Sequence, residues 1–237
     1  EGLFDPGQPR TLGLKKLPAE HASLYRATPE TFRFCHHANL VVFGGRLYCM
    51  WSNGKIGEDE PGQRILFANS RDGVTWSSPR VLATDPLKRG ECVAAGFRGT
   101  GKRLIAFYTV SGGTNFHAET ALWARESTDA VSWGAPRRLV AGFYIRAPIS
   151  LPGGGLFLSG EHVGKERETK RMRLLVTQRE DGLGDWQDAR IRVTDPKVFG
   201  YTEPAAYVRR DGAIVCPFRN YSGALFGSLS TDRGRSW

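Results

Sequence analysis

No stretch of the 237 residues approaches the length of an apolar membrane span, and none has the basic, apolar and small-residue order of a secretory leader. The first residue is Glu1 rather than Met, from which a processed or truncated N-terminus is expected. Cysteine is sparse: four residues in a chain of this length do not make a disulfide framework. Cys35 and Cys49 flank a hairpin expected to turn at Gly44-Gly45. Regular pairing about that turn sets Leu40 opposite Cys49 and Cys35 opposite Gly54, so these two are not cross-linked across it. Cys92 and Cys216 lie in or beside apolar runs and read as small core residues, which leaves the compartment open. No Cys/His spacing suits zinc, Gly57 to Glu60 lacks the ligand alternation of a calcium loop, and Gly153-Gly154-Gly155 reads as a hairpin turn rather than a phosphate loop. Neither a metal nor a cofactor is expected.

Acidic residues are outnumbered, 24 Asp and Glu against 33 Lys and Arg, for a net charge of +9. Such a balance favours anionic partners. The arginines are scattered singly or in pairs, densest from Lys165 to Arg173, and no basic helix or nucleic-acid-binding motif is present. With nucleic acid and a membrane span set aside, an acidic oligo- or polysaccharide is the expected partner. A scattered, solvated basic surface is the plain alternative, and the oligomeric state is left open.

Glycine is abundant, 29 residues, many paired or beside Asp, as suits a chain of tight turns. The turns repeat. Ser70-Arg71-Asp72-Gly73-Val74-Thr75-Trp76 recurs as Ser230-Thr231-Asp232-Arg233-Gly234-Arg235-Ser236-Trp237. A weaker copy is Ser127-Thr128-Asp129-Ala130-Val131-Ser132-Trp133, and a degraded one runs from Thr177 to Trp186. Their tryptophans stand 57, 53 and 51 residues apart. In such an Asp box the carboxylate accepts backbone N–H groups within the turn, glycine supplies positive φ, and the tryptophan packs over the turn. Asp72, Trp76, Asp129, Trp133, Asp232 and Trp237 are therefore assigned to structure.

Between the boxes the pattern is strand-like. Asn39 to Phe43, a Gly44-Gly45 turn and Arg46 to Trp51 read as a hairpin, followed by strands at Arg64 to Asn69 and Arg80 to Ala83. The later units repeat this, with turns at Pro152 to Gly155 and at Asp211-Gly212. Four strands per unit at a period near 50 residues make an all-β propeller with units at about 32–85, 90–142, 145–195 and 200–237. Residues 1–31 carry no repeat and are expected to form an arm or a closing strand. A ring of this kind needs six or seven blades, so four blades imply a fragment.

The boxes, with Glu203-Pro204 and Arg219 across an Asp-Gly hairpin, resemble the sialidase (neuraminidase) superfamily from about Phe32 onward. The resemblance implies a glycoside hydrolase in which an arginine triad holds a sugar carboxylate, a Tyr–Glu pair supplies the nucleophile and an Asp is the acid/base. It implies an extracellular or periplasmic location as well. Fixed cations suit a carboxylate that persists through the reaction, and a tyrosine hydroxyl needs a base to share its proton. On this reading Glu203 is the glutamate, Arg219 a carboxylate-binding arginine, and Asp59, between Glu58 and Glu60, a candidate acid/base. The third arginine and the tyrosine would lie beyond the four units.

The first unit departs from the sialidase signature. It reads Phe32-Arg33-Phe34-Cys35-His36-His37-Ala38-Asn39-Leu40, without the proline, and the expected arginine position falls nearer His36 than Arg33. His36-His37 before a strand ending Trp51-Ser52-Asn53 is similar to propeller polysaccharide lyases and rhamnosyl-glucuronate hydrolases, as is Ala124-Arg125-Glu126-Ser127 before a box. A lyase must neutralise a uronate carboxylate, remove the C5 proton and protonate the leaving oxygen. His36 or His37 would be the base, Tyr108 the acid, and Asn53 and Arg125 the carboxylate ligands, alongside Arg33. Adjacent strand residues face opposite ways, so only one of the two histidines is expected to face the site. His117 and His162 fall in polar loops. A glycan-binding propeller without activity is the third reading, since fold alone implies none.

Overall fold

Runs of alternating apolar residues between glycine turns fold as antiparallel meanders. The structure is a computed structural model that describes residues 5–86, 88–113, 117–163, 171–189, 191 and 202–237; among these there are fifteen strands and no helix. The first sheet joins β1 (Phe34–Phe43), β2 (Arg46–Gly54), β3 (Arg64–Ser70) and β4 (Arg80–Ala83) in chain order. The second joins β5 (Cys92–Thr100), β6 (Arg103–Val110), β7 (Ala121–Ser127) and β8 (Arg137–Ala141). The third joins β9 (Ile149–Ser150), β10 (Leu156–His162), β11 (Arg171–Thr177) and β12 (Gln187–Asp188). The fourth has three strands, β13 (Tyr207–Val208), β14 (Ile214–Phe218) and β15 (Phe226–Ser230). These are propeller blades. Most of the basic segment Lys165 to Arg173, and the lead-in to the fourth blade, lie outside the described residues.

The core lies between blades. Along β6, Leu104, Ala106 and Tyr108 face the first blade, where they join Met50, Ile65 and Phe67, while Ile105 and Phe107 face the third and join Leu158 and Leu175. Phe157 of β10 points the other way, onto Ile214 and Cys216 of the fourth blade. A strand covered on both faces has no polar alternation, which is why β6 reads as a continuous apolar run. On the far face of the first blade, Trp51 and Leu66 are covered by Leu24 and Tyr25, with the Tyr25 and Trp51 rings 5.4 Å apart. Residues 5–33 otherwise contribute turns and no strand.

The repeated turns close by the same local bonds. Asp72 Oδ1 accepts the Val74 and Thr75 N–H groups at 2.9 and 2.7 Å, and the Trp76 indole donates to Gly73 O at 3.0 Å. Asp129 accepts Val131 and Ser132 N–H at 2.8 Å each, and Asp232 accepts Arg235 and Ser236 N–H at 3.0 and 2.9 Å. In the fourth-blade turn the Trp237 indole donates to Gly234 O at 3.0 Å. In the degraded copy Asp181 accepts Leu183 N–H at 3.0 Å, and Trp186 donates to Gly182 O at 3.2 Å. Ala130 stands where the first turn has Gly73, at φ 53°, and Trp133 packs instead on Phe67 and Phe97.

One register expectation fails, and the failure shapes the site. Leu40 does pair with Cys49, but Cys35 pairs with Asn53, not Gly54, because β1 slips by one residue between His36 and Asn39. His37 has φ 54° at this bulge, a left-handed conformation that extended pairing cannot absorb. All four cysteines are free; Cys92 and Cys216 are fully buried.

Candidate active site

The start of each first strand, the end of each second and the start of each third share one edge of a blade. Backbone and side-chain bonds stitch these edges together. Gln63, ahead of β3, takes the Cys92 N–H on its carbonyl and gives its side-chain amide to Cys92 O, both at 3.0 Å. Tyr144 N–H donates to Thr109 Oγ1 at 2.9 Å, joining the second blade to the third. Glu203 N–H donates to Glu161 Oε1 at 2.8 Å, joining the third to the fourth. Residues from all four blades therefore share this edge.

The bulge in β1 defeats the rule that adjacent strand residues face opposite ways. His36 and His37 turn to the same side, with ring centroids 3.9 Å apart. His36 Nδ1 hydrogen-bonds Glu58 Oε1, from the loop between β2 and β3, and His37 Nε2 lies 4.0 Å from the same oxygen. His37 Nδ1 meets Ser52 Oγ at 3.4 Å, and Ser52 Oγ accepts the Ala94 N–H at 2.9 Å. The His37 side chain is only 13% exposed, against 50% for His36. Burial, and then the neighbouring His36, pulls His37 down to about 4 against the opposing pull of Glu58, so it is neutral near pH 7. The ligand atoms of His36, His37 and Glu58 lie within 4.8 Å of one another. This grouping differs from the expectation that no metal-ligand set is present. Sequence spacing hides it, because Glu58 stands 22 residues from His36 and only the bulge turns both imidazoles one way.

In the fourth blade, Glu203 and Arg219 face each other across the Thr202–Arg219 bridge, with Arg219 Nη2 3.0 Å from Glu203 Oε1. Both side chains are open to solvent. Glu203 has φ 51° and is held in that conformation by Glu161, which also accepts the Thr202 hydroxyl. Glu161 is 1% exposed and went unnoticed in the sequence, where its one signal is an acid closing the apolar run of β10. Arg146, exposed on the lead-in to β9, is a further cation on this edge.

Asp59 is half-buried at φ 56°, and its N–H donates to Gln63 Oε1 at 3.3 Å. It faces a second carboxyl that sequence reading missed. Glu91, ahead of β5, is 1% exposed, and its Oε2 has no hydrogen-bond partner among the described residues. Burial, with the neighbouring charges of Asp59 and Asp85, pushes Glu91 up to about 7 against a bond from Ser111. Glu91 therefore holds a proton over much of the range in which free carboxylic acids are ionised.

Three expected contributors are engaged elsewhere. Asn53 is fully buried; its amide donates to Phe34 O at 3.1 Å and its oxygen accepts Arg64 Nε at 3.0 Å, so it braces the start of β1. Arg125 gives its guanidinium to three carbonyls, Leu82, Trp133 and Gly134, at 2.6 to 3.0 Å, tying the second box to the edge of the first blade. Tyr108 is 2% exposed within the layer between the first two blades, and burial raises its hydroxyl far above the ordinary range. None of the three offers a free polar group to a sugar. Arg33 is exposed just ahead of β1, its N–H bonded to Lys55 O, while His117 and His162 are exposed.

The BNR repeat-like domain family matches residues 45–237, well over half of the chain. The chain belongs to that family. The matched residues take in the second to fourth blades and all of the first except its opening strand β1. Comparison with curated protein sequences finds no match. Among solved structures, this BNR-repeat chain is similar to a protein of unknown function from Dyadobacter fermentans (14% identity, TM-score 0.68), covering 91% of this chain and 70% of that one. It is similar also to a sialidase from Trypanosoma rangeli in complex with sialic acid (16% identity, TM-score 0.66, 86% of this chain and 37% of that one). An α-L-arabinofuranosidase from Lactobacillus brevis aligns at 15% identity and TM-score 0.61, covering 90% of this chain and 79% of that one. The BNR-repeat chain thus spans little more than a third of the trypanosomal enzyme. At these identities the likeness is one of fold.

Proposed function

We propose that the protein is a sialidase-like glycoside hydrolase that acts on a glycan bearing an acidic sugar, through the blade edge that carries Glu203 and Arg219. The observation that carries the reading is that pair, 3.0 Å apart, solvent-exposed and held by the buried Glu161. Arg219 is a fixed cation for the sugar carboxylate, and Glu203 a base able to take the proton of an attacking hydroxyl. Asp59, with the protonated Glu91 beside it, supplies the acid at the first-blade end of the edge.

The second reading, a uronate-directed lyase or hydrolase working through His36 and His37, is favoured by the convergence of the two imidazoles. Its lyase form is weakened by the burial of Tyr108 and by the engagement of Asn53 and Arg125 elsewhere. A glycan-binding propeller without turnover remains a distinct outcome.

The test is incubation of the protein with sialosides and with uronate polysaccharides, following released sugar and the ultraviolet absorbance of unsaturated products. Release of a carboxylated sugar without new absorbance, lost by 100-fold or more in Glu203→Gln (about 2.7 kcal/mol of transition-state stabilisation), is expected. New absorbance lost in His37→Ala but kept in Glu203→Gln would move the assignment to the lyase. Binding with no turnover on any substrate would reduce the protein to a lectin-like propeller.

A further inference from the structure

The histidine pair and Glu58 have a second use that does not depend on the glycan reading. We propose that His36 Nδ1, His37 Nε2 and Glu58 Oε1 form a binding site for a divalent transition-metal ion of the zinc class. Two imidazoles and one carboxylate are a donor set that such ions take with a coordination position left open. The three ligand atoms already lie within 4.8 Å of one another. Bonds of about 2.0–2.2 Å bring ligand atoms to roughly 3.2–3.6 Å apart in a tetrahedral site. The Glu58 side chain, on the loop between β2 and β3, already bonds His36 Nδ1 and stands 4.0 Å from His37 Nε2.

Two features make this more than a surface His–Glu contact. The first is orientation. His37 Nδ1 is engaged by Ser52 Oγ, itself fixed by the Ala94 N–H, which points Nε2 at Glu58. A ligating histidine is typically oriented in this way by a partner on its other nitrogen. The second is the backbone. A regular strand would send the two side chains to opposite faces, whereas the one-residue slip in β1 and the positive φ of His37 bring both rings to a single carboxylate. His36 and Glu58 are about half exposed, so the open positions face solvent on the edge that also carries Glu203 and Arg219.

Zinc binding to the purified, chelator-treated protein, measured by titration calorimetry, tests the site without any substrate. One Zn²⁺ per chain is expected, with affinity lower by at least about tenfold in His36→Ala and in Glu58→Gln, and no change in His162→Ala. Both altered side chains are half exposed, so the variants should fold, and equal thermal unfolding temperatures in the absence of metal check this. Cobalt substitution gives an independent readout. Visible d–d bands of a four- or five-coordinate ion should appear in the wild type and vanish in both variants. Absence of stoichiometric binding, or binding and spectra unchanged in both variants, would overturn the proposal.

Discussion

His37 shows how one residue's backbone decides what its side chain can do. Its sequence position says strand, and strand geometry says that His36 and His37 part company. The bulge was not legible, because nothing in Cys35-His36-His37-Ala38 marks positive φ in the way glycine does. Gly96 is the opposite case. It sits at φ 131° where β5 slips against β6, and a Cβ there would lie 3.0 Å from Asn39 Oδ1 and 3.2 Å from Ala147 Cβ. We expect Gly96→Ala to lower stability by about 1–3 kcal/mol, read by denaturant unfolding, because both the conformation and the space exclude a side chain. A loss under a few tenths of a kcal/mol would show that β5 relaxes there. Glu91 belongs to this scale too. Its carboxyl is raised to about 7 by burial and by Asp59 and Asp85, so the folded state binds a proton that the unfolded chain releases above its ordinary carboxyl range. Stability from this group is fully present at acid pH and is lost as pH climbs toward 7. Glu91→Gln is therefore expected to raise the unfolding temperature at pH 8 and to leave it nearly unchanged at pH 4.

The Asp-box turns were the most legible elements, because their chemistry is local and each residue type has one task. Asp129, Asp181 and Asp232 are held down at about 2 by hydrogen bonds, from backbone N–H groups in Asp129, the Arg179 side chain in Asp181 and Ser236 in Asp232. A folded-state value below the unfolded one contributes stability that is present above about pH 4 and lost as pH falls toward 2. The unfolding free energy, read by denaturant titration, should therefore fall as pH is lowered through that window. A flat profile between pH 4 and 2 would contradict the bonding described. By contrast, the carboxylates of the site edge were only partly legible. Glu203 and Arg219 stood out through the sialidase resemblance, but Glu161 and Glu91 depend on contacts between blades that no local pattern reports. Nor does a local pattern report that Arg125 and Asn53 are engaged by groups 8 to 43 residues away, or that Tyr108 is buried between two blades.

At the scale of the molecule, neighbouring blades are held by shared apolar layers. Phe107 is fully buried between the second and third blades with Leu158, Leu175 and Leu183. Phe107→Ala should cost about 3–5 kcal/mol and destabilise both blades at once, with hydrogen exchange accelerated in β6 and in β10 alike. Acceleration confined to one blade would mean that the layers are less coupled than their packing implies. The architecture was readable from period alone. The proposed site was not, because its residues are brought to one edge from separate blades.

Arg219 is the residue through which this edge is proposed to recognise a carboxylate. The most direct test is the affinity of a carboxylated sugar and of its neutral amide, each measured with the wild type and with Arg219→Ala. The acid is expected to bind at least about tenfold more tightly than the amide, a difference of roughly 1.4 kcal/mol, and Arg219→Ala to erase that preference. Equal affinity of the wild type for the acid and the amide would contradict it.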